Sequence, residues 1–169
     1  HSAWVTSQEA RSEVHKLRVA CDAVIIGGNT VRRDNPFLTS RSTQADNPLR
    51  VVMSRSLDLP TEANLWDVSE AKTLVFTEID SNLEFQEYLR QKGVEVLATS
   101  TLTPAVVMSN LYDRGFLSVL WECGGILASR AIADGVVQKI WAFIAPKIIG
   151  GEIAPSPIGD LGFCLLYTS

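Results

Sequence analysis

Residues 117–151, LSVLWECGGILASRAIADGVVQKIWAFIAPKIIGG, decide the fold because they predict a complete β-helix-β unit. Residues 117–121 are apolar apart from Ser118, which favours a buried parallel strand. One apolar face of the helix that follows is formed by Ile126, Leu127, Ala131 and Ile132. Gly135 ends that helix, and residues 139–144 predict a second strand.

The turn between this strand and this helix contains Glu122, Gly124 and Gly125. Two glycines at a helix start let a ligand approach the free N–H groups, and phosphate is the usual ligand there. A tight turn without a ligand is the alternative for the glycine pair. A carboxylate at the carboxyl end of a buried strand suits a ligand in a crevice, although a salt bridge or a helix cap would also account for Glu122.

The composition predicts a soluble, single-domain protein of 169 residues, 46% of them hydrophobic, which is enough for a core. A net charge of −4 without a basic run argues against a nucleic-acid surface. No apolar run approaches the roughly 20 residues of a membrane span, and no stretch resembles a signal peptide. Cys21, Cys123 and Cys164 lack zinc-site spacing, which argues against a metal and favours a reducing, cytoplasmic environment.

The residues at both ends of the sequence indicate that the chain is a fragment of a longer domain. The first residue is His1 rather than methionine, and residues 164–169 begin what reads as a strand and then stop. We therefore expect residues 1–169 to form a single but incomplete domain.

A helix is predicted from about Ser7 to Ala20, because Thr6 stands three residues before Glu9 in a capping-box pattern. Arg18 falls in the last turn of this helix. A cation there interacts favourably with the helix dipole, which is a sufficient structural reason for Arg18.

The stretch from Asp22 to Gly28 repeats the pattern of a buried strand that ends in glycines. Residues 29–36 are too polar for a core and predict a loop closed by an Asn-Pro turn. Two glycine-tipped strands could face one crevice, although this composition is also ordinary for loops.

The rest of the chain alternates strands and helices. Strands are predicted at 49–53, 73–77 and 94–97, and helices at 83–90 and from Thr103 to Gly115, with 57–72 as loop. In these helices Phe85, Leu89, Val106, Val107, Leu111 and Tyr112 form the apolar positions. The alternation predicts a mostly parallel sheet with helices on both faces, and right-handed crossovers gather the strand ends at one edge.

The tip after residues 49–53 is Ser54-Arg55-Ser56, which suits the 2′-phosphate of an NADP adenosine. A solvated turn is equally consistent with these residues. The chain lacks G-x-G-x-x-G, G-x-S-x-G, H-E-x-x-H and a P-loop, and it lacks the H-x-E and P-C-x-x-C motifs of zinc deaminases.

Taken together, several motifs resemble the reductase domain of riboflavin biosynthesis. In order, they are SAWVTS at 2–7, GNTV at 28–31, DNPFLT at 34–39 with Arg41, Glu122-x-Gly124-Gly125, and IAPKIIG at 144–150. The resemblance implies a dihydrofolate-reductase-like fold and reduction, by NADPH, of the ribose of 5-amino-6-(5-phosphoribosylamino)uracil to the ribityl product. In many bacteria this domain is fused behind a zinc deaminase, and we expect a homodimer.

The resemblance also implies roles for individual residues. The implied cofactor contacts are Trp4, Thr30, Asp34, Gly124, Gly125, Ile126 and Leu127. The implied substrate contacts are Ser2, Arg18, Leu38, Arg41 and Glu122. The two arginines suit the substrate phosphate, Glu122 suits sugar hydroxyls or the uracil edge, and the glycines suit the cofactor pyrophosphate. The proton donor stays open between Asp34, Glu122 and water.

Some family features are absent from these residues. An upstream first strand and a closing hairpin are missing, which would expose two sheet strands as edges. Relatives often carry an aspartate and a small hydroxyl residue where this chain has Ser54-Arg55. Two alternatives remain: a reductase of a pterin-like heterocycle, and a non-catalytic remnant that only binds nucleotide.

Overall fold

The structure is a computed structural model that describes residues 7–40, 46–145 and 156–159. The helices are α1 (Gln8–Val19), α2 (Gly28–Asp34), α3 (Leu83–Gln91), α4 (Pro104–Asp113) and α5 (Gly125–Ala133), with a 3₁₀ turn at Asn64–Trp66. The strands are β1 (Ala23–Gly27), β2 (Leu49–Met53), β3 (Thr73–Glu78), β4 (Glu95–Thr99) and β5 (Val119–Trp121). Within these ranges, no helix has the length and apolar character needed to cross a membrane.

The five strands form one parallel sheet in the order β4-β3-β2-β1-β5. The chain therefore proceeds outward from β1 to β4 and then returns to place β5 on the other side of β1. In open α/β sheets, ligands bind at the carboxyl ends of the strands where the strand order reverses. That position lies here between the carboxyl ends of β1 and β5.

The inner strands are mostly apolar because both faces of the sheet are covered. Val24 and Ile26 of β1 belong to one buried cluster, together with residues of α2 and α3. Ala23 and Ile25 belong to the opposite cluster, with residues of α4. The prediction of a parallel sheet with helices on both faces is confirmed.

The helix starts follow capping chemistry of the expected kind. The side chain of Ser7 caps α1 by accepting a hydrogen bond from the backbone N–H of Ala10. Thr103 caps α4 as predicted and accepts from the N–H of Val106. Thr6 lies outside the described residues, so its predicted contact with Glu9 stays a prediction.

The prediction of a loop over residues 29–36 is wrong, because these residues form most of α2. Val31 is buried against the core and anchors this short helix, while most of its polar side chains remain outside the core. Asn35 ends the helix with a left-handed backbone at φ 41°, a conformation that asparagine tolerates better than most residues. Two buried positions in seven, Gly28 and Val31, give too little apolar periodicity to recognise a helix.

The prediction of a strand over residues 139–144 is also wrong. These residues form no regular element, and the side chains of Ile140 and Ile144 are 66% and 93% exposed. A strand requires a neighbouring ladder of hydrogen bonds, and within the described residues no strand pairs with this segment. The motif at 146–150 lies outside the described residues.

Other predicted apolar positions are exposed as well. The strand predicted at 117–121 is shorter and only half-buried, because β5 is an edge strand among those described. The exposed side chains are those of Val106, Tyr112, Leu117 and Ile126. The spacing of apolar residues in α4 and α5 therefore predicted a wider buried face than either helix has.

Asp22 joins the starts of β1 and β5. Its carboxylate accepts hydrogen bonds from the backbone N–H groups of Leu117 and Ser118, both at 2.8 Å, and from the Ser118 hydroxyl at 3.0 Å. These backbone donors, Ser118 first, hold the pKa of the Asp22 carboxyl below its ordinary value. The ionised form is thus the one that stabilises the start of β5.

We expect Asp22→Asn to reduce stability most near neutral pH. A depressed carboxyl pKa contributes stability above the unfolded pKa, and this contribution disappears as pH falls through the folded pKa. The difference in urea midpoint between wild type and variant should therefore shrink on acidification from about pH 7 to about pH 3. A difference that stays constant with pH would show that the charge of Asp22 does not contribute.

Candidate functional site

A cleft of about 630 Å³ lies at the carboxyl ends of β1, β2 and β5. Its walls are the turn into α2, the tip formed by residues 54–56 and the first turn of α5. The start of α4 and residues Ser156 and Gly159 complete the wall. The cleft therefore occupies the position where the strand order reverses.

Six residues with an expected cofactor role line this single cleft. They are Thr30, Asp34, Gly124, Gly125, Ile126 and Leu127. The first two belong to α2, and the other four form the start of α5, about ninety positions later in the chain. Trp4, the seventh expected contact, lies outside the described residues. The fold thus brings together residues that the sequence could only group by resemblance.

The cleft is rich in arginine. Arg32, Arg33, Arg55 and Arg130 line it, and Asp34 is the one acidic residue among its described lining. Arg32 is engaged, because it lies 3.8 Å from the Asp58 carboxylate and also donates to Asn29. Among the described residues, the other three guanidinium groups have no ion-pair partner. A cleft with this excess positive charge suits a ligand that carries several phosphates.

The first turn of α5 begins without a side-chain cap from any described residue. Gly124 is its N-cap in an extended conformation. The first N–H groups of an α-helix have no partner inside the helix, and the helix dipole favours an anion beside them. Among the described residues nothing lies within 4 Å of where a Cβ of Gly124 would be, so on that side this position is open to a ligand.

Gly125 is required for a different reason from Gly124. A Cβ at Gly125 would lie 2.6 Å from the carbonyl oxygen of Ser156 and 3.0 Å from the nitrogen of Gly159. The sequence suggested one role for both glycines, close approach of a ligand. The structure shows that Gly125 instead admits the backbone of residues 156–159.

Residues 156–159 form a cleft wall that the sequence did not indicate. The N–H of Gly159 donates to the carbonyl oxygen of Gly125 at 3.0 Å. The hydroxyl of Ser129, which is fully buried, lies 2.7 Å from the carbonyl oxygens of both Gly125 and Gly159. Ser129 and Gly159 lie 30 positions apart, and no local sequence pattern relates the two residues.

The expected substrate residues Arg18 and Glu122 bind each other. Arg18 Nε donates to Glu122 Oε1 at 2.6 Å, and Arg18 Nη2 donates to Oε2 at 2.7 Å. The two side chains are only 14% and 21% exposed. Arg18 Nη1 also donates to the carbonyl oxygen of Thr39 at 3.0 Å. The salt-bridge alternative for Glu122 is therefore present, two residues before Gly124 in the lining of the cleft.

The segment 37–40 is held from several elements. Leu38 is buried and has a left-handed backbone at φ 54°, which a leucine rarely adopts. On one side of Leu38, the carbonyl of Phe37 accepts from Arg50 at 3.4 Å. On the other side, Asn47 Oδ1 accepts from the backbone N–H of Ser40 at 2.8 Å. Sequence reasoning missed both Arg50 and Asn47.

Two other expected substrate contacts, Ser2 and Arg41, lie outside the described residues. Arg18, Leu38 and Glu122 cluster around the segment 37–40 rather than in the 630 Å³ cleft. The expected substrate and cofactor groups are thus linked through the turn after β5, where Glu122 lies two residues before Gly124.

Neither described cysteine near the site is an activated nucleophile. Burial raises the pKa of the Cys123 thiol to about 11. Burial, followed by the charges of Asp22 and Glu122, also raises the pKa of Cys21. Both thiols are protonated near neutral pH, so the site is suited to binding and positioning rather than to thiolate attack.

In the described part of the chain, no three His, Cys, Asp or Glu residues cluster as a metal site would require.

Comparison with known proteins identifies the family. The family model described as the RibD C-terminal domain matches residues 1–167. The riboflavin biosynthesis protein RibD of Synechocystis is 61% identical over 163 residues, covering 96% of this chain and 44% of that protein. A 2,5-diamino-6-ribosylamino-4(3H)-pyrimidinone 5′-phosphate reductase of Aquifex aeolicus is 31% identical over 158 residues, covering 92% of this chain and 70% of that protein.

A solved structure supports the same relationship. The diaminohydroxyphosphoribosylaminopyrimidine deaminase/5-amino-6-(5-phosphoribosylamino)uracil reductase of Thermotoga maritima aligns with a TM-score of 0.62 and 31% identity, covering 79% of this chain and 36% of that one. The chain spans less than half the length of the Synechocystis relative. The predicted dihydrofolate-reductase-like α/β fold is confirmed. The chain belongs to the RibD C-terminal domain family.

Proposed function

We propose that the chain carries out the reductase step of riboflavin biosynthesis. In this reaction NADPH reduces the ribosyl group of 5-amino-6-(5-phosphoribosylamino)uracil to the ribitylamino product. The observation that carries this proposal is the convergence of six expected cofactor residues on one arginine-rich cleft at the reversal of strand order. Relatives named as reductases of closely related phosphorylated pyrimidines support it.

The residues of the cleft fit a dinucleotide. Its volume of about 630 Å³ lies within the range of small-molecule sites. The uncapped N-terminus of α5 would receive the pyrophosphate beside Gly124, and Arg55 at the end of β2 would pair with a 2′-phosphate. When bound, the nicotinamide supplies the hydride, so the protein itself needs to bind, orient and exclude water.

The substrate would bind beside the cofactor, around the segment 37–40. Glu122 offers carboxylate lone pairs to sugar hydroxyls or to the N–H edge of the base, and the buried Leu38 forms part of the same wall. Ser2 and Arg41 complete the proposed contacts, with Arg41 for the phosphate. The proton that must accompany hydride addition could come from Asp34, Glu122 or water, and these three remain alternatives.

The names of two relatives differ in the base to which the reduced ribosyl group is attached. The Thermotoga protein is named for a uracil, whereas the Aquifex protein is named for a 2,5-diaminopyrimidinone. The diaminopyrimidinone, which still carries its 2-amino group, is therefore the second candidate substrate. A pterin-like heterocycle and binding without turnover complete the alternatives.

Steady-state measurement of NADPH absorbance tests the proposal. The purified protein should oxidise NADPH with the phosphoribosylaminouracil faster than with its 2-amino analogue, its dephosphorylated form or a dihydropterin. Faster turnover of the 2-amino analogue would replace the proposed substrate with the second candidate. Binding of NADPH without turnover of any of these compounds would contradict a reductase.

The choice of NADPH over NADH predicts a role for Arg55. Arg55→Gln should raise the Kd of NADPH by about 10–100-fold, the loss expected for one charge-assisted hydrogen bond to a phosphate. The Kd of NADH should change little, because NADH lacks the 2′-phosphate. Fluorescence titration measures both constants, and Arg114→Gln is the matched control because Arg114 pairs with Glu95 away from the cleft. An equal increase in the Kd of NADPH and of NADH would mean that Arg55 does not bind the 2′-phosphate.

Three further features belong to the same proposal. We propose that the domain acts as a homodimer, that it is cytoplasmic, and that it is fused behind a deaminase. The Thermotoga relative, whose name joins a deaminase to a reductase, supports the fusion. Light scattering of the purified protein would test the dimer. The assignment of residues 1–169 to a single, incomplete reductase domain stays a prediction.

A further inference from the structure

The guanidinium group of Arg18 connects three separate parts of the fold. Arg18 lies in the last turn of α1, Glu122 follows β5, and Thr39 belongs to the segment after α2. Two of its N–H groups bind both Glu122 oxygens side by side, and a third binds the carbonyl oxygen of Thr39. Such a bidentate arrangement fixes the orientation of the carboxylate as well as its position.

This pairing removes the net charge that a phosphate site requires. The positive charge of Arg18 and the negative charge of Glu122 cancel at 2.6 Å, in a position where both side chains are largely buried. A substrate phosphate approaching Arg18 would also meet the carboxylate, and like charges in one site repel. Three of the five N–H groups of Arg18 are already engaged, so a phosphate could bind only the other two, beside the Glu122 carboxylate. Displacing Glu122 instead would leave it buried without a partner, which is unfavourable.

The carboxylate, by contrast, is well prepared to accept neutral donors. Each Glu122 oxygen accepts one hydrogen bond from Arg18, which leaves further lone pairs on both oxygens. The backbone N–H of Glu122 donates to the carbonyl oxygen of Ile25 at 3.0 Å, so the main chain is fixed as well. Hydroxyl groups of a sugar and N–H groups of a base are the complementary donors.

Arg18 also stabilises an unusual backbone beside the carboxylate. The left-handed Leu38 is followed directly by Thr39, whose carbonyl Arg18 holds. Arg50 and Asn47 hold the neighbouring residues Phe37 and Ser40. The segment is thus attached to α1, to β2 and to the loop before β2 before any ligand binds, which is the preorganisation that a binding wall requires.

We propose that Arg18 is a positioning residue, which orients Glu122 and the segment 37–40 toward the uncharged part of the substrate and does not bind its phosphate. This inference rests on the proposed reductase function. It differs from the expectation that Arg18 binds the substrate phosphate, although it keeps Arg18 beside the substrate as the resemblance implies.

The kinetic test compares two substrates in two variants. Arg18→Ala should lower kcat/KM by about 10–100-fold, the loss expected when charge-assisted hydrogen bonds are removed. The same factor should appear with the phosphorylated substrate and with its dephosphorylated form, and Arg18→Lys should recover little, because an ammonium cannot reproduce the side-on pair. Inhibition by inorganic phosphate should be unchanged. A loss confined to the phosphorylated substrate would overturn the proposal.

Stability measurements without ligand separate this inference from the proposed function. Arg18→Ala and Glu122→Gln should each lower the melting temperature, and the double variant should lose clearly less than the sum of the two. The surface pair Arg114–Glu95 provides the matched control and should show weak coupling. Additive losses at Arg18 and Glu122 would overturn the positioning role even if the enzyme is active. If wild type turns over no substrate, the reductase proposal fails, and this coupling alone decides the role of Arg18.

Discussion

Replacing Arg50 with methionine should lower the free energy of unfolding by about 3 kcal/mol or more, because several buried carbonyl groups lose their donor at about 1–3 kcal/mol each. Arg50 lies on the central part of the sheet in β2 and is only 1% exposed. Its Nη2 donates to the carbonyl oxygens of Asp67 and Ala71, both at 2.6 Å, and to that of Leu65 at 3.2 Å. Methionine fills a similar volume but offers no N–H group.

The Arg50 cation is unusual because backbone carbonyls, rather than a carboxylate, hold it. Burial lowers the pKa of its guanidinium, while the charges of Asp67 and Glu70 oppose that shift. The hydrogen bonds attach the loop between β2 and β3 to the sheet, and the bond to Phe37 attaches the segment beside Leu38. The stability of the core and the shape of the proposed substrate wall therefore depend on the same side chain.

Urea denaturation of wild type and three variants measures this effect. Arg50→Met should show the full loss, and Arg50→Lys should recover part of it because an ammonium retains three donors. Arg114→Met is the matched control, since Arg114 forms a partly exposed pair with Glu95 and should cost less than about 1 kcal/mol. A loss at Arg50 no larger than at Arg114 would contradict the role of the buried hydrogen bonds.

The sequence predicted the sheet well because each inner strand is buried on both faces. The central residues of β1 and β3 are apolar without alternation. This pattern can be recognised in the sequence without knowing which strands lie beside them. The two wrong assignments concern segments that lack such a signal. The helix α2 buries too few side chains, and residues 139–144 have strand composition but no described strand beside them.

The position of the site could be predicted only where a local pattern of residues indicates it. The glycines before α5 and the strand ends indicated a crevice, and the cleft lies there. Contacts between distant residues could not be predicted, because nothing local relates Arg18 to Glu122, which lie 104 positions apart. The buried Arg50 was equally hidden, since a charged residue within an apolar strand gives no indication of its partners.

Alanine at each of the two glycines at the start of α5 should weaken NADPH binding, but only alanine at Gly125 should strongly destabilise the protein. Gly125→Ala should destabilise the protein without any ligand by about 1–3 kcal/mol, the usual cost of forcing extra atoms into a packed region. Its new Cβ would lie 2.6 Å from the Ser156 carbonyl oxygen, so either residues 156–159 or the first turn of α5 must move. Because both form the cleft, the affinity for NADPH should fall as well.

Gly124→Ala should cost no more than about 1 kcal/mol, the usual difference between glycine and alanine at an N-cap. Among the described residues no atom lies within 4 Å of the new Cβ, and the backbone, at φ −71° and ψ 166°, suits any residue. The Kd of NADPH should nevertheless rise by about tenfold or more, equivalent to about 1.4 kcal/mol, because the methyl group would occupy space that the pyrophosphate needs.

Melting temperatures and NADPH titrations on both variants distinguish the two roles. A Gly124→Ala protein that binds NADPH as tightly as wild type would place the pyrophosphate elsewhere. A Gly125→Ala protein that melts like wild type would show that residues 156–159 do not pack against α5 in solution. The pair thus tests separately whether the helix start binds the cofactor and whether the chain itself completes the cleft.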